Sequence, residues 1–163
     1  MEKAALKEHR RHSTADKPFS YYISNIPEYF PNAPMHWHKE FELNVILEGE
    51  GDFVTGDIHF TAYKGDIVLT PPDMLHAVYQ HDDKRCVYDT LDLDGSMLGS
   101  RDNDRAADAF IAPLILEAYS IETHITPEHC YYSELLTTAE NMISAAKGDT
   151  PLLDMLILSL IHI

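Results

Sequence analysis

The chain has 163 residues, enough for one domain with a core of its own. Its 12 basic residues against 27 acidic ones leave a formal net charge of −15, which repels a phosphate backbone and argues against direct DNA binding by this chain. A hydrophobic fraction of 45% excludes wholesale disorder, and two cysteines, Cys86 and Cys130, are too few for a disulfide scaffold. No apolar run reaches the roughly 18 to 20 residues needed to span a bilayer, and nothing at the start resembles a signal peptide. A cytoplasmic protein without membrane contact is expected.

Residues 1–17 carry five basic side chains (Lys3, Lys7, Arg10, Arg11, Lys17) and few large apolar ones, so they read as a flexible tail. Strand chemistry begins at Phe19–Ile23, and Pro27, Pro31 and Pro34 mark a loop before His36. Phe41–Leu47 alternates Phe41, Leu43, Val45 and Leu47 with Glu42, Asn44 and Ile46, both faces occupied, as in a central strand. Gly49–Gly51 is turn chemistry. Thr55-Gly56-Asp57 then separates Asp52–Val54 from Ile58–Ala62 as a hairpin. Ile67–Leu69, His76–Gln80 and Cys86–Leu93 follow as further strands. Many short strands at this spacing predict an antiparallel sandwich or barrel.

After Gly99 the period changes. Pro113 limits Ala106–Tyr119 to a short helix or an irregular turn. Thr126-Pro127 looks like a helix start, and Leu135, Leu136, Ala139, Met142, Ile143 and Ala146 form one helical face that Gly148 ends. Thr150-Pro151 opens a second helix, Leu152–Ile163, apolar nearly all round, which a partner surface would have to cover. It runs uncapped to the last residue, so a longer native chain is expected.

The chemistry concentrates between Met35 and His76. The run His36-Trp37-His38-Lys39-Glu40-Phe41-Glu42 places two imidazoles on one side of an extended chain and a carboxylate shortly after. His76 follows Gly65-Asp66-Ile67-Val68-Leu69-Thr70-Pro71 at the end of the next motif. Three His and one Glu are ligands for a divalent transition metal (Zn, Ni, Mn or Fe) rather than for Ca or Mg. His36, His38, Glu42 and His76 are therefore the candidate metal ligands. Trp37 points the opposite way, as packing. His59, His81, His124 and His129 have no spacing that ties them to the motif.

The spacing H-x-H-x3-E-x6-G followed by G-x5-P-x4-H resembles the paired motifs of the cupin barrel. Phe41–Gly51, Gly65–Leu69 and Pro71–His76 are similar, more narrowly, to the amino-terminal sensor domain of AraC-type transcription regulators. Asp73 stands where many cupin enzymes have Gly, and no Asn follows His76 at the usual spacing. The resemblance implies a mostly β fold, a cupin double-stranded β-helix (jelly-roll) barrel over 18–100, then a connecting segment and two carboxy-terminal α-helices over 101–163 that make a homodimer. It implies a small polar effector, a carbohydrate among the candidates, held by His36, His38, Glu42, Asn44, His76, Tyr88 and Thr90. DNA contact would belong to a helix-turn-helix domain absent from this chain, and no catalysis is expected. It also allows an amino-terminal arm over the ligand, though 1–17 lacks apolar anchors for one. The competing reading is a metal-dependent cupin enzyme, a dioxygenase or a sugar isomerase.

Overall fold

The computed structural model describes residues 2–14, 16–95 and 121–148. Among them are eight strands: β1 Phe19–Ile26, β2 Asn32–His36, β3 Phe41–Thr55, β4 Ile58–Tyr63, β5 Ile67–Thr70, β6 His76–Gln80, β7 Cys86–Leu93 and β8 His124–Ile125. One α-helix, α1, covers Tyr132–Lys147, and a 3-10 turn covers Lys3–Leu6. The fold is mostly β, and every pairing between named strands is antiparallel.

Strand β3 organises the rest because it belongs to two layers. Its first half pairs with β7 and β5, and its second half pairs with β4 and β6. The first layer runs β1-β7-β3-β5-β8, and β2 joins the second through β6. The passage between layers falls at a bulge between Ile46 and Glu48 and at Gly49, whose φ is +75°. A Cβ at Gly49 would lie 1.7 Å from the Arg85 carbonyl oxygen, so the close approach of β7 requires glycine. The turn expected at Gly49–Gly51 is thus a bend within one 15-residue strand. The glycines change the direction of the chain without breaking its pairing.

Two further boundaries differ from expectation. The proline-marked loop contains β2, which includes Pro34. Pro34 is tolerated because β2 pairs only with β6, and its register shifts between Ala33 and His36. Helix α1 begins at Tyr132 rather than at Pro127, because Thr126–His129 closes a turn first and the Tyr132 hydroxyl donates to the Gly65 carbonyl. Gly148 ends α1 as expected. The second helix, Leu152–Ile163, and the segment Ala106–Tyr119 lie outside the described residues, among which α1 is the one α-helix.

The core has two parts, one on each side of the β1-β7-β3 layer. Ala139, Ile143 and Ala145 of α1 pack on Phe19, Val45, Leu91 and Leu93, and the barrel interior holds Ile26, Ile46, Phe53, Val68, Val78 and Tyr88. Strand β7 is buried at all eight positions because one face meets α1 and the other meets the interior. Lys147, in the last turn of α1, lies 3.3 Å from the buried Asp89 carboxylate, which also accepts from the Tyr21 hydroxyl at 2.6 Å. No helix among the described residues is long and apolar enough to cross a membrane.

Candidate ligand and metal site

Strand register brings the four motif side chains together. His36 and His76 are direct partners across β2 and β6, with ring centroids 4.1 Å apart. Glu42 enters from β3, where it lies opposite Thr70 on one side and Asp92 on the other. His38 follows β2 and approaches Glu42, Nε2 to Oε2, at 3.4 Å. His76 Nε2 stands 3.5 Å from the same oxygen. One ligating atom from each of the four lies within 4.8 Å of all the others.

Backbone contacts set the tautomers. His36 Nδ1 donates to the Pro34 carbonyl at 2.7 Å, and His76 Nδ1 donates to the Met74 carbonyl at 2.8 Å. A carbonyl only accepts, so each ring, when neutral, turns the lone pair of Nε2 away from that contact. His76 Nε2 is buried without a hydrogen-bond partner. Two donors each about 2.1 Å from one ion stand roughly 3 to 3.5 Å apart, so the spacings to Glu42 suit a shared cation better than a direct bond. The residues fit a divalent transition metal. His36, His38, Glu42 and His76 would hold it, and when bound it would supply a Lewis-acid centre for an oxygen of the ligand.

Electrostatics agree with that use of the site. Burial raises the Glu42 carboxyl, but His76 and His38 outweigh it and hold the group well below the usual range, so it is ionised. Burial and the neighbouring His76 lower His36, favouring the neutral ring a metal requires. Burial lowers His76, yet Glu42 raises it overall, so a metal there would displace a proton.

A buried polar chain fixes Glu42 from behind. Asn44 Nδ2 donates to Glu42 Oε1 at 2.7 Å, and the Thr90 hydroxyl donates to Asn44 Oδ1 at 2.7 Å. Thr90 and Asn44 face each other across β7 and β3. Asn44 is only 1% exposed and does not line the adjoining pocket, and its side-chain contacts are with Glu42 and Thr90. Thr90 and Tyr88 do line that pocket, as do His36, Glu42 and His76, and its volume is about 430 Å³. That is small-ligand size, toward the lower end of the range of about 300–1,000 Å³. His38 lies beside it and lines the neighbouring groove with Glu40.

His12 joins this cluster although no motif includes it. Residues 2–14 lie against the β2 end of the barrel. Trp37 donates through Nε1 to the Lys3 carbonyl at 2.7 Å, and its backbone N–H donates to Leu6 at 3.1 Å. Lys3 and Lys7 lie over the indole. From there His12 reaches Glu8 at 2.7 Å through Nε2 and Asp92 at 2.6 Å through Nδ1, and its ring lies 4.8 Å from that of His38. The second contact is close but outside hydrogen-bond angles, so both buried Asp92 oxygens lack a formal hydrogen bond. Burial opposes a charged His12, but Asp92 and Glu8 outweigh it and raise the ring to about 10. Burial pushes Asp92 up in turn, with Glu42 adding to it.

Three other histidines among the described residues have partners away from this cluster. His124 opens β8, stacks on Phe60 at 4.2 Å and meets Asp66 at 2.7 Å, while His81 pairs with Asp52 at 2.8 Å. His129 is 3.1 Å from Glu122.

Residues 20–161 match the family model described as the AraC-like ligand binding domain. An uncharacterized HTH-type transcriptional regulator, YdeC, of Bacillus subtilis (strain 168) is 27% identical over 89 residues, which are 54% of this chain and 31% of that protein. The chain thus spans less than a third of that relative's length. Among solved structures, DMSP lyase DddQ from Ruegeria pomeroyi DSS-3 is 25% identical over 47% of this chain and 38% of its own, with a TM-score of 0.42. A cupin protein from Bacteroides fragilis is 19% identical over 56% of this chain and 75% of its own, with a TM-score of 0.44.

Proposed function

The chain belongs to the family of AraC-like ligand-binding domains, and from that premise we propose that it is the effector-sensing part of a transcription regulator. Its barrel binds a small molecule beside a divalent metal held by His36, His38, Glu42 and His76. Tyr88 and Thr90 contact the effector, and Asn44 holds Glu42 in place. DNA is bound by a helix-turn-helix domain outside this chain, in keeping with the charge of −15 carried here. The carboxy-terminal part, 101–163, joins two copies, and the protein works in the cytoplasm.

The single observation that carries this reading is the convergence of the four motif side chains, three of which, His36, Glu42 and His76, line a pocket that extends to Val78, Tyr88 and Thr90. An effector in that pocket can shift a regulator only through different affinities for its two states. The β1-β7-β3 layer offers a physical route for such a difference. Thr90 and Tyr88 face the pocket, while Asp89 between them holds Lys147 of α1.

The test uses the full-length regulator and a reporter promoter. Glu42→Gln and His76→Ala are expected to abolish the effector response while leaving operator binding intact. An unchanged response in both variants would refute the assignment. The enzyme reading draws on the same four donors. A dioxygenase or isomerase would show turnover of a candidate substrate that His38→Ala and His76→Ala remove.

A further inference from the structure

The pocket beside the four donors has two chemically different walls. Around the metal-ligand set it is polar. Away from them it is lined mainly by Ile23, Phe30, Pro34 and Val78 and the rings of Tyr22 and Tyr88, with Ser24 and Asn32 among them. Ser24, the register partner of Tyr88 on β1, and Asn32 are the uncharged polar side chains on that side, against a larger apolar surface. The body of a ligand seated there is apolar.

The imidazoles lining the pocket each face a carboxylate. Glu8 and Asp92 bracket His12, and Glu42 faces His38 and His76. Arg10 lies with its guanidinium 4.2 Å from the Tyr22 ring centroid and has no carboxylate partner among the described residues. In a chain of 12 basic and 27 acidic residues, an arginine claimed by no acid and held on an aromatic face beside an apolar wall is conspicuous. The guanidinium is planar and permanently charged, and it matches a carboxylate with two parallel N–H donors. Stacking on Tyr22 limits its freedom in advance.

Resting on the sensor reading above, we propose that the effector is a small organic monocarboxylate with an apolar ring or short alkyl body, its carboxylate paired with Arg10 and its body against Phe30, Pro34 and Val78. It is not a carbohydrate.

Calorimetric titration of the whole chain with benzoate and hexanoate, against benzyl alcohol, hexan-1-ol, arabinose and glucose, tests this directly. The carboxylates should bind at least about tenfold more tightly than the matched alcohols. Arg10→Gln should remove that advantage and leave alcohol binding unchanged, while Arg10→Lys should retain part of it. Arg10 is exposed, so circular dichroism of both variants should match the parent. Sugar binding tighter than either carboxylate, or carboxylate binding unaffected by Arg10→Gln, overturns the carboxylate assignment and leaves the sensor reading standing. Absence of carboxylate binding likewise overturns the carboxylate assignment, while the sensor reading is decided by the reporter response of Glu42→Gln and His76→Ala.

Discussion

Replacing Thr90 with Val isolates the buried polar chain that holds Glu42. Valine has nearly the same shape, so packing against Tyr22 and Asn44, its register partners on β1 and β3, is kept while one hydroxyl is lost. Asn44 Oδ1 then has no donor in a place where its residue is 1% exposed. An unsatisfied buried acceptor costs about 1–3 kcal/mol. Taking the middle of that range and roughly 2–4 °C per kcal/mol for a chain of this size, the melting temperature of the metal-free protein should fall by about 4–8 °C. The amide is also freed to rotate, and its oxygen would then face the ionised Glu42. Metal affinity should accordingly drop roughly 10- to 100-fold, the usual effect of losing an outer partner of a ligand. Thermal melts of stripped protein give the first quantity, and competition with a chelating dye gives the second. Thr90→Ser should restore both. A Thr90→Val protein within about 0.5 kcal/mol of the parent, with unchanged metal affinity, would refute the positioning role.

Other expectations follow from different parts of the fold. Gly49→Ala should abolish folding or cost more than about 3 kcal/mol, because its Cβ meets the Arg85 carbonyl at 1.7 Å in a positive-φ position; a denaturant midpoint close to the parent would show that β7 can retreat. Ile143→Ala should cost about 2–4 kcal/mol by emptying the contact between α1 and the Phe19, Val45 and Leu91 face, and urea unfolding with less than about 1 kcal/mol lost would mean that α1 is not docked there. The hydrogen bond that His81 Nδ1 donates to the Asp52 carboxylate raises His81 above its ordinary value of 6.5. This contact therefore contributes fully below that value and is lost as pH rises through the higher folded value. Proton NMR should record a downward move of the His81 midpoint in Asp52→Asn, and an unmoved midpoint would contradict the pairing.

Much of the fold was legible because alternation and turn residues act locally. Cys86–Leu93 and His76–Gln80 were bounded correctly by their β-branched and aromatic content, and the helical face from Leu135 to Ala146 by its period. Punctuation was less dependable where tertiary pairing overrode it. Gly49–Gly51 bends a continuous strand, and Pro34 sits in an edge strand because it has only one neighbour to satisfy. Thr126-Pro127 has the chemistry of a helix start, but the bond from Tyr132 to Gly65 begins the helix later.

At the site, the four motif side chains are visible from their spacing; His36, Glu42 and His76 sit on strands, and His38 follows directly after β2. His12 was not, because its partner Asp92 is 80 residues away in sequence and residues 1–17 carry no pattern of their own. One signal did exist. The same alternation that turns Tyr88 and Thr90 inward also turns Asp92 inward, and a buried carboxylate calls for a cation from somewhere in the chain. Arg10 left no such trace, since its place depends on how residues 2–14 dock through Trp37.

The central claim is that His36, His38, Glu42 and His76 form one metal-binding centre. The most direct test is elemental analysis of the protein after metal stripping and reconstitution with Zn, Ni, Mn or Fe, with His38→Ala and His76→Ala alongside. One equivalent of transition metal per chain in the parent, lost in both variants, is the predicted result. A parent that retains no metal, or variants that retain as much as the parent, would contradict it.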